Sequence, residues 1–344
     1  MAIVNGTDNP ETLNEDDGVT NLDDVINGLG GNDNIFGLGG DDDIFGGNDD
    51  DEIEGGGGAD LVNGGAGNDT ASYEESLAGV VVNLKTKKAS GGDAQGDTLV
   101  SIENLKGSGE ADTLIGSNGA NILNGAGGAD TLKGGRGNDI YVANAETRIV
   151  EKAGEGIDSI QAVLTSYSLA KLPHIERLAL FHLNENIPLN GTGNAAKNVI
   201  QGHDGANVLR GLAGNDVLQG FAGTDTLIGG KNKDRLTGGD DADIFDFNRA
   251  TEIGKGAKRD VITDFQSLQL DQIDLSSIDA RKGGGNQSFT FIGTDKFHKT
   301  KGELHYKTSG VNVIVEGDID GDGKADFQIQ VTGVATLAAA DFIL

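Results

Sequence analysis

The chain has 344 residues, a formal charge of −29, 57 glycines, three prolines and neither cysteine nor tryptophan. This excludes a disulfide scaffold and makes nucleic acid an unfavourable partner. No segment reaches the roughly 18 apolar residues that a membrane-spanning helix needs, and high charge with few aromatic residues would ordinarily leave a chain disordered. Any fold must be organised by something other than a large apolar core.

Residues 1–27 read as degenerate lead-in units, GTDNPETLN and VTNLDDVIN, with Leu13 and Ile26 facing inward as caps on the first full repeats. Residues 28–72 then repeat one nine-residue pattern five times: GLGGNDNIF, GLGGDDDIF, GGNDDDEIE, GGGGADLVN, GGAGNDTAS. Glycine opens each unit, aspartate stands sixth (Asp33, Asp42, Asp51, Asp60, Asp69), and an apolar residue stands eighth (Ile35, Ile44, Ile53, Val62, Ala71). Residues 73–106 break the period with short apolar strands, GVVVNL and DTLVSIENL, and read as a β insertion. The period resumes over residues 107–142, with Asp112, Asn121, Asp130 and Asp139 sixth and Leu114, Leu123, Leu132 and Tyr141 eighth.

Residues 143–192 read as a second β insertion. SLAKLPHIERLALFH has some helical character, but Pro173 and the flanking apolar runs favour strands. Six more units fill residues 193–246, with Asn198, Asn207, Asp216, Asp225, Asp234 and Asp243 sixth and Ile200, Leu209, Leu218, Leu227, Leu236 and Phe245 eighth. From residue 247 to 344 the chain turns more basic and more apolar, as in KGAKRDVITDFQ and VNVIVEGDIDGDGKADFQIQVTG.

A fixed period implies a stack in which each unit is a turn followed by a three-residue strand whose middle side chain points inward. These units resemble the calcium-binding nonapeptide repeats of the RTX (repeats-in-toxin) family. The resemblance implies an all-β, elongated parallel β-roll, or β-solenoid, in three blocks. Two units would make one flattened coil, so coils would stack every eighteen residues. One inward apolar side chain per unit cannot offset the entropy of ordering nine residues, and stacked carboxylates repel until a cation sits between them. A flexible cage of carboxylate and backbone oxygens suits Ca²⁺ better than Mg²⁺.

Sixth positions eighteen apart give the expected cages: Asp33 with Asp51, Asp42 with Asp60, Asp51 with Asp69, Asp112 with Asp130, Asp216 with Asp234, and Asp225 with Asp243. Asn121 with Asp139, Asn198 with Asp216, and Asn207 with Asp225 offer one neutral oxygen and are expected to be weaker. Backbone oxygens are expected from first- and fourth-position glycines: Gly28, Gly31, Gly37, Gly40, Gly55, Gly58, Gly125, Gly128, Gly211, Gly214, Gly220 and Gly223. At fourth positions, Asp49, Asn232 and Asp241 tolerate a left-handed backbone, whereas Glu110 and Ala196 do so less readily. The turns that begin at Gly107 and Gly193 should therefore bind calcium weakly or not at all, and Asp33, Asp42 and Asp51 most tightly.

The last hundred residues resemble the C-terminal domain of serralysin-type metalloproteases and other type I secreted proteins, which implies a β cap and export through an ABC apparatus. The tail Asp341 to Leu344 is similar to the uncleaved signal of such proteins, and the opening MAIVNGTDNPET lacks the features of an N-terminal signal. A secreted, extracellular location follows, with cell-surface association as an extension. Protease activity does not: His174, His182, His203, His298 and His305 include no H-E-x-x-H, and there is no G-x-S-x-G. The expectation is a non-enzyme. Alternatives are an adhesin, exopolysaccharide binder or lattice former, and the non-catalytic tail of a secreted hydrolase. In DIDGDGKAD, Asp318, Asp320, Asp322 and Asp326 begin like an EF-hand loop, but Ile329 stands where the closing glutamate belongs. Both an extra calcium site and a plain hairpin turn fit that loop.

Overall fold

The structure is a computed structural model that describes residues 2–182, 184, 187–281 and 285–344. The described residues are strands, turns and short 3₁₀ segments, and the chain divides into two compact units, Met1–Gln161 and Ala162–Leu344. SLAKLPHIERLALFH is not helical: it begins at the end of the strand Ser166–Ser168, turns around Pro173 and supplies the strand Arg177–Leu180.

In the first unit, two stacks of strands face each other. One runs Val25–Gly30, Asp43–Asn48, Leu61–Ala66, and the other Asn34–Phe36, Glu52–Glu54, Thr70–Ser72. Pairing is parallel with a step of eighteen, Ile26 on Ile44 on Val62 and Ile35 on Ile53 on Ala71. This is the register set by two nine-residue units per coil. The lead-in units cap the stack as strands, Ile3–Asn5 on Val25–Gly30 and Thr12–Leu13 on Asn34–Phe36.

The insertion over 73–106 keeps the stack intact. Thr98–Val100 lies parallel on Leu61–Ala66, Asn104–Lys106 lies parallel on Thr70–Ser72, and Val81–Asn83 receives Thr113–Ile115 of the next block. Only Lys88–Ser90 runs antiparallel, bridging Val81–Asn83 and Thr98–Val100.

The second unit repeats the plan. Leu189–Thr192, Asn207–Arg210, Thr226–Ile228, Ile244–Asp246 and Gln272–Asp274 form one parallel face. Arg177–Leu180, Val199–Gln201, Val217–Phe221, Arg235–Gly239 and Asp260–Ile262 form the other. The roll therefore runs past residue 246, where the nine-residue spelling ends. It closes on an antiparallel meander, Glu303–Ser309 with Asn312–Asp318 and the latter with Phe327–Val331, whose last strand returns parallel onto Asp260–Ile262. Phe342–Ile343 of the tail is a strand parallel to Gln272–Asp274, and Phe342 packs on Phe291 with ring centroids 5.0 Å apart.

Between the two faces of each unit the eighth-position side chains of both faces meet. Ile35, Ile44, Ile53, Leu114, Leu123, Leu132, Tyr141, Leu209, Leu218, Leu227, Leu236 and Phe245 have no exposed surface. In the meander a polar knot takes their place: Glu316 meets His305 Nε2 at 2.9 Å, Lys307 Nζ at 2.7 Å and the Gln328 amide. Burial works to raise this carboxyl, but the hydrogen bonds from His305, Lys307 and Gln328 and the Lys307 charge prevail and hold it down to about 2.

Two substitutions separate core from turn. Ile44→Ala empties a fully buried site and is expected to cost about 2–5 kcal/mol in calcium-saturated denaturant unfolding. Leu29 is 45% exposed at φ +77°. Leu29→Gly relieves the left-handed strain and should be neutral or stabilising by about 1 kcal/mol in the same measurement.

Candidate metal centre

The turns carry the chemistry. Each sixth-position carboxylate is buried and reaches back one coil to the backbone N–H of the sixth residue there. Asp51 Oδ1 accepts from Asp33 N at 2.9 Å, Asp60 from Asp42 at 2.9 Å, and Asp69 from Asp51 at 3.0 Å. Asp130 accepts from Asp112 at 3.1 Å and Asp139 from Asn121 at 2.8 Å. In the second unit Asp216 accepts from Asn198 at 2.7 Å, Asp234 from Asp216 at 2.8 Å, Asp225 from Asn207 at 2.7 Å and Asp243 from Asp225 at 3.0 Å. The result is a staircase of carboxylates along the edges of each stack.

At most of these positions only one carboxylate oxygen is used. Oδ2 of Asp33, Asp42, Asp51, Asp60, Asp69, Asp130, Asp139, Asp216, Asp225, Asp234 and Asp243 is buried with no hydrogen-bond partner. Leaving a buried charged oxygen unmatched is costly, so native structures give it a partner or an ion. These residues thus fit a row of cations. The opening glycines make room for the carboxylates. A Cβ on Gly28 would stand 2.6 Å from Asp33 Oδ2 and 2.4 Å from the Gly46 carbonyl oxygen, and one on Gly220 would stand 1.9 Å from Asp225 Oδ2.

Gly37, Gly55, Gly125 and Gly211 are held in the same way against Asp42, Asp60, Asp130 and Asp216. Fourth-position Gly31, Gly40, Gly128, Gly214 and Gly223 take positive φ, as do Asp49, Asn232 and Asp241 in their place. Gly58 is required by proximity, a Cβ there meeting the Gly40 oxygen at 1.8 Å.

Burial sets the proton affinity of these carboxyls. Desolvation is the leading cause of the rise at each, reinforced at most by neighbouring carboxylates. Asp234 and Asp243 are pushed to about 8, Asp42, Asp60, Asp216 and Asp225 to about 7, and Asp51, Asp69, Asp130 and Asp139 to about 6. Asp24, sixth in the lead-in unit, is the contrast. Burial works to raise it too, but bonds from Ala2 N–H, the Thr20 hydroxyl (2.7 Å) and Thr20 N–H (2.8 Å) occupy both oxygens and bring it below its ordinary value.

Four turns are closed by their own donors. Ser108 N–H donates to Asp112 Oδ2 at 2.7 Å and the Ser108 hydroxyl to Oδ1 at 2.9 Å. Ser117 N–H and Asn194 N–H donate to Asn121 and Asn198 at 2.7 Å each, and His203 N–H to Asn207 at 3.2 Å. The amide nitrogen then turns on the carbonyls. Asn121 donates to the Glu103 carbonyl, Asn198 to that of Ile175 at 3.2 Å, and Asn207 to those of His203 (2.8 Å) and Gly205 and to Asp225 Oδ1 at 3.0 Å. The structure thus places Asp112, Asn121, Asn198 and Asn207 on the staircase with their own turns supplying their partners.

Several rungs lie outside the nine-residue spelling. Asp97 and Glu103 accept from Asp60 N–H and Asp69 N–H at 3.0 Å each, across gaps of 37 and 34 residues. Asp158 accepts from Asp139 N–H at 2.8 Å across 19, and Asp260 and Asp271 accept from Asp234 (2.8 Å) and Asp243 (3.1 Å) across 26 and 28. An aspartate just before a short apolar strand, as in GDTLV, GIDSI, RDVI and LDQID, was the available signal for four of them.

Asp139, Glu151 and Asp158 bring ligand oxygens within 4.8 Å of one another, with Tyr141 O–H donating to Glu151. Asp318, Asp320 and Asp326 form a second such group, but there the carboxylates hold the hairpin turn. Asp318 accepts from Gly321 N–H (2.7 Å) and Gly323 N–H (2.8 Å), and Asp326 from Ile319 N–H (2.8 Å). Asp322 stands apart from this group and pairs with Lys324 at 3.2 Å.

A parallel roll edged by buried, half-satisfied carboxylates defines a calcium-binding repeat protein. Residues 20–53, 37–71 and 106–141 match the RTX calcium-binding nonapeptide repeat, and residues 204–344 match the peptidase M10 serralysin C-terminal domain. The chain thus carries RTX repeats together with a serralysin-type C-terminal domain. Comparison with curated proteins gives no match. Among solved structures, the solution structure of the AlgE6R3 subunit from the Azotobacter vinelandii Mannuronan C5-epimerase is similar at 25% identity and a TM-score of 0.32, covering 43% of this chain and 78% of that one.

The raised carboxyls set a pH dependence. With folded values near 6–8 and unfolded values near 3.9, the folded metal-free roll binds more protons, so its stability is greatest below about pH 4 and falls as pH rises towards 8. Chelated protein is therefore expected to gain far-ultraviolet β signal when taken from pH 8 to pH 5. Loss of signal over that range would contradict it.

Proposed function

We propose that this chain is a secreted, non-catalytic protein whose roll folds when calcium fills its turns outside the cell. The observation that carries this reading is the row of eleven buried, partnerless Oδ2 atoms in register along the staircase. Protonation neutralises these carboxylates only one at a time, whereas a divalent ion shared between adjacent coils answers two at once. Binding free energy then becomes folding free energy. Oxygen-only ligands on a glycine-rich turn favour Ca²⁺, and extracellular modules of this kind work at about 10⁻⁴–10⁻³ M.

The ligand set follows from the division of the turns. Asp33, Asp42, Asp51, Asp60, Asp69, Asp130, Asp139, Asp216, Asp225, Asp234 and Asp243 supply the carboxylates, with backbone oxygens of their turns. Asp112, Asn121, Asn198 and Asn207 stabilise coils without an ion at their own turn. Export through a type I apparatus fits the serralysin-type domain, with the Asp341 to Leu344 tail as the recognised segment. A chain held open by charge repulsion in calcium-poor cytosol would thread such an exporter and fold beyond it. The non-catalytic reading rests on what the repeats and meander do, which is to build and close the roll. His298 and His305 serve as partners of Glu303 and Glu316 within the meander.

Two measurements test this. Far-ultraviolet circular dichroism at pH 7.5 should show β signal that is lost on chelation and restored by millimolar calcium; a spectrum indifferent to chelator refutes it. Asn207→Asp exchanges an amide donor for a carboxylate beside Asp225 and the carbonyls of His203 and Gly205. Native mass spectrometry should count one more bound calcium in that variant, and an unchanged count would overturn the role given to the closed turns.

A further inference from the structure

Half of the basic residues of the first unit surround one cavity. Met1–Gln161 contains eight lysines and arginines, all between Lys85 and Lys152, and four of them, Lys85, Lys133, Arg136 and Lys152, line a single cavity of about 520 Å³. Glu155 is its only acidic lining residue, and it pairs with Lys152 at 3.3 Å. Among the described residues no carboxylate lies within ion-pair distance of Lys85, Lys133 or Arg136. What sets Lys85, Lys133 and Arg136 apart is not the lack of a partner but that they stand with Lys152 around one hollow, in a chain of 26 basic and 55 acidic residues.

The roll builds this hollow by register. Asn83, Ile115 and Lys133 end three adjacent parallel strands and stand side by side, and Arg148–Ile149 adds a fourth strand to the same face. Lys85 follows the first of these strands, Ser117 the second, Arg136 the third and Lys152 the fourth. Strands about 4.8 Å apart spread the four cations over about 14 Å along the stack. Ile115 is the one large apolar lining residue and no aromatic ring lines the cavity, so an apolar ligand gains little there. What the cavity offers is spaced cations and the hydroxyl and amide groups of Ser117, Asn83 and Asn118.

We propose that this cavity binds an acidic polysaccharide, laid across the coils so that acid groups on successive sugars meet Lys85, Lys133, Arg136 and Lys152. Sugar hydroxyls suit the polar lining, and an arginine fork with lysine point charges suits carboxylate or sulfate. Nucleic acid is disfavoured because duplex DNA carries one charge per about 1.7 Å, far denser than this row, and meets a chain of net charge −29. The proposal rests on the calcium-folded roll, since the register that gathers the four cations exists only in the folded stack.

The test uses the full chain in saturating calcium, with folding verified first by circular dichroism, so that failure to fold with calcium counts against the roll and not against the cavity. Short oligosaccharides avoid the gelling of long polyuronates by calcium. An oligogalacturonate trimer, a sulfated trisaccharide, a neutral trisaccharide and a single-stranded DNA oligomer are titrated by calorimetry at low and high salt. At least one acidic sugar should bind, the neutral one should not, and which acidic sugar binds identifies the acid group. Because the charges are exposed, raising sodium chloride from 0.05 to 0.5 M should weaken binding by about tenfold.

The double variant K133Q/R136Q should weaken binding by about tenfold or more, while K197Q/K231Q, which removes the same charge from exposed turns of the other unit, should leave it unchanged. Equal losses in both variants, no binding of either acidic sugar by folded protein, or tighter binding of DNA overturns the proposal. Should K133Q/R136Q fail to fold, K85Q and K152Q, each on an exposed side chain, make the same comparison.

Discussion

Everything in this protein depends on one half-made interaction. A buried aspartate accepts the backbone N–H of the coil before it through Oδ1 and leaves Oδ2 with nothing. The first half fixes the register of the stack, because the bond closes only when sixth positions stand one coil apart. The second half makes that register conditional, since a carboxylate so placed must be protonated or answered by a cation. Register and the unanswered oxygen therefore reside in the same side chain. The eighth-position residues of the two faces support the arrangement, but each unit contributes only one such side chain, too little to hold it without the edges.

Much of this was legible in the sequence because the period is strict. A step of eighteen, an inward eighth residue and a carboxylate in sixth place at the turn follow from spacing alone, and Ile44 over Ile26 and Asp60 beneath Asp42 stand where the spelling puts them. Tolerance of a left-handed backbone was also legible at Asp49, Asn232 and Asp241, all of which adopt it. What spacing could not reveal were contacts closed by spatial neighbours at irregular separations. Asp97, Glu103, Asp260 and Asp271 continue the staircase across intervals that no period announces.

Second positions carried information that the repeat pattern does not contain. Leu29, Leu38, Leu212 and Phe221 adopt positive φ there despite their side chains, a conformation that costs about 1–2 kcal/mol each. Ser108, Ser117, Asn194 and His203 instead turn their N–H groups onto the sixth residue. The difference is chemical: a second residue able to hydrogen-bond locally, together with asparagine in sixth place at three of the four turns, closes the turn upon itself. The same asparagines that looked like weakened ligands point an amide at the carbonyls of their neighbourhood.

The closed turns open the second and third repeat blocks, at residues 107 and 116 and again at 193 and 202. Each later block thus begins with two turns whose hydrogen bonds are complete without an ion, followed by turns whose bonds are not. A coil closed by its own donors presents a surface in register for the next one. In a helix the costly event is the first turn and every later one is cheap. Here the division lies within each later block: the opening turns complete their own hydrogen bonds, and the turns beyond them carry the carboxylate oxygens that have no partner.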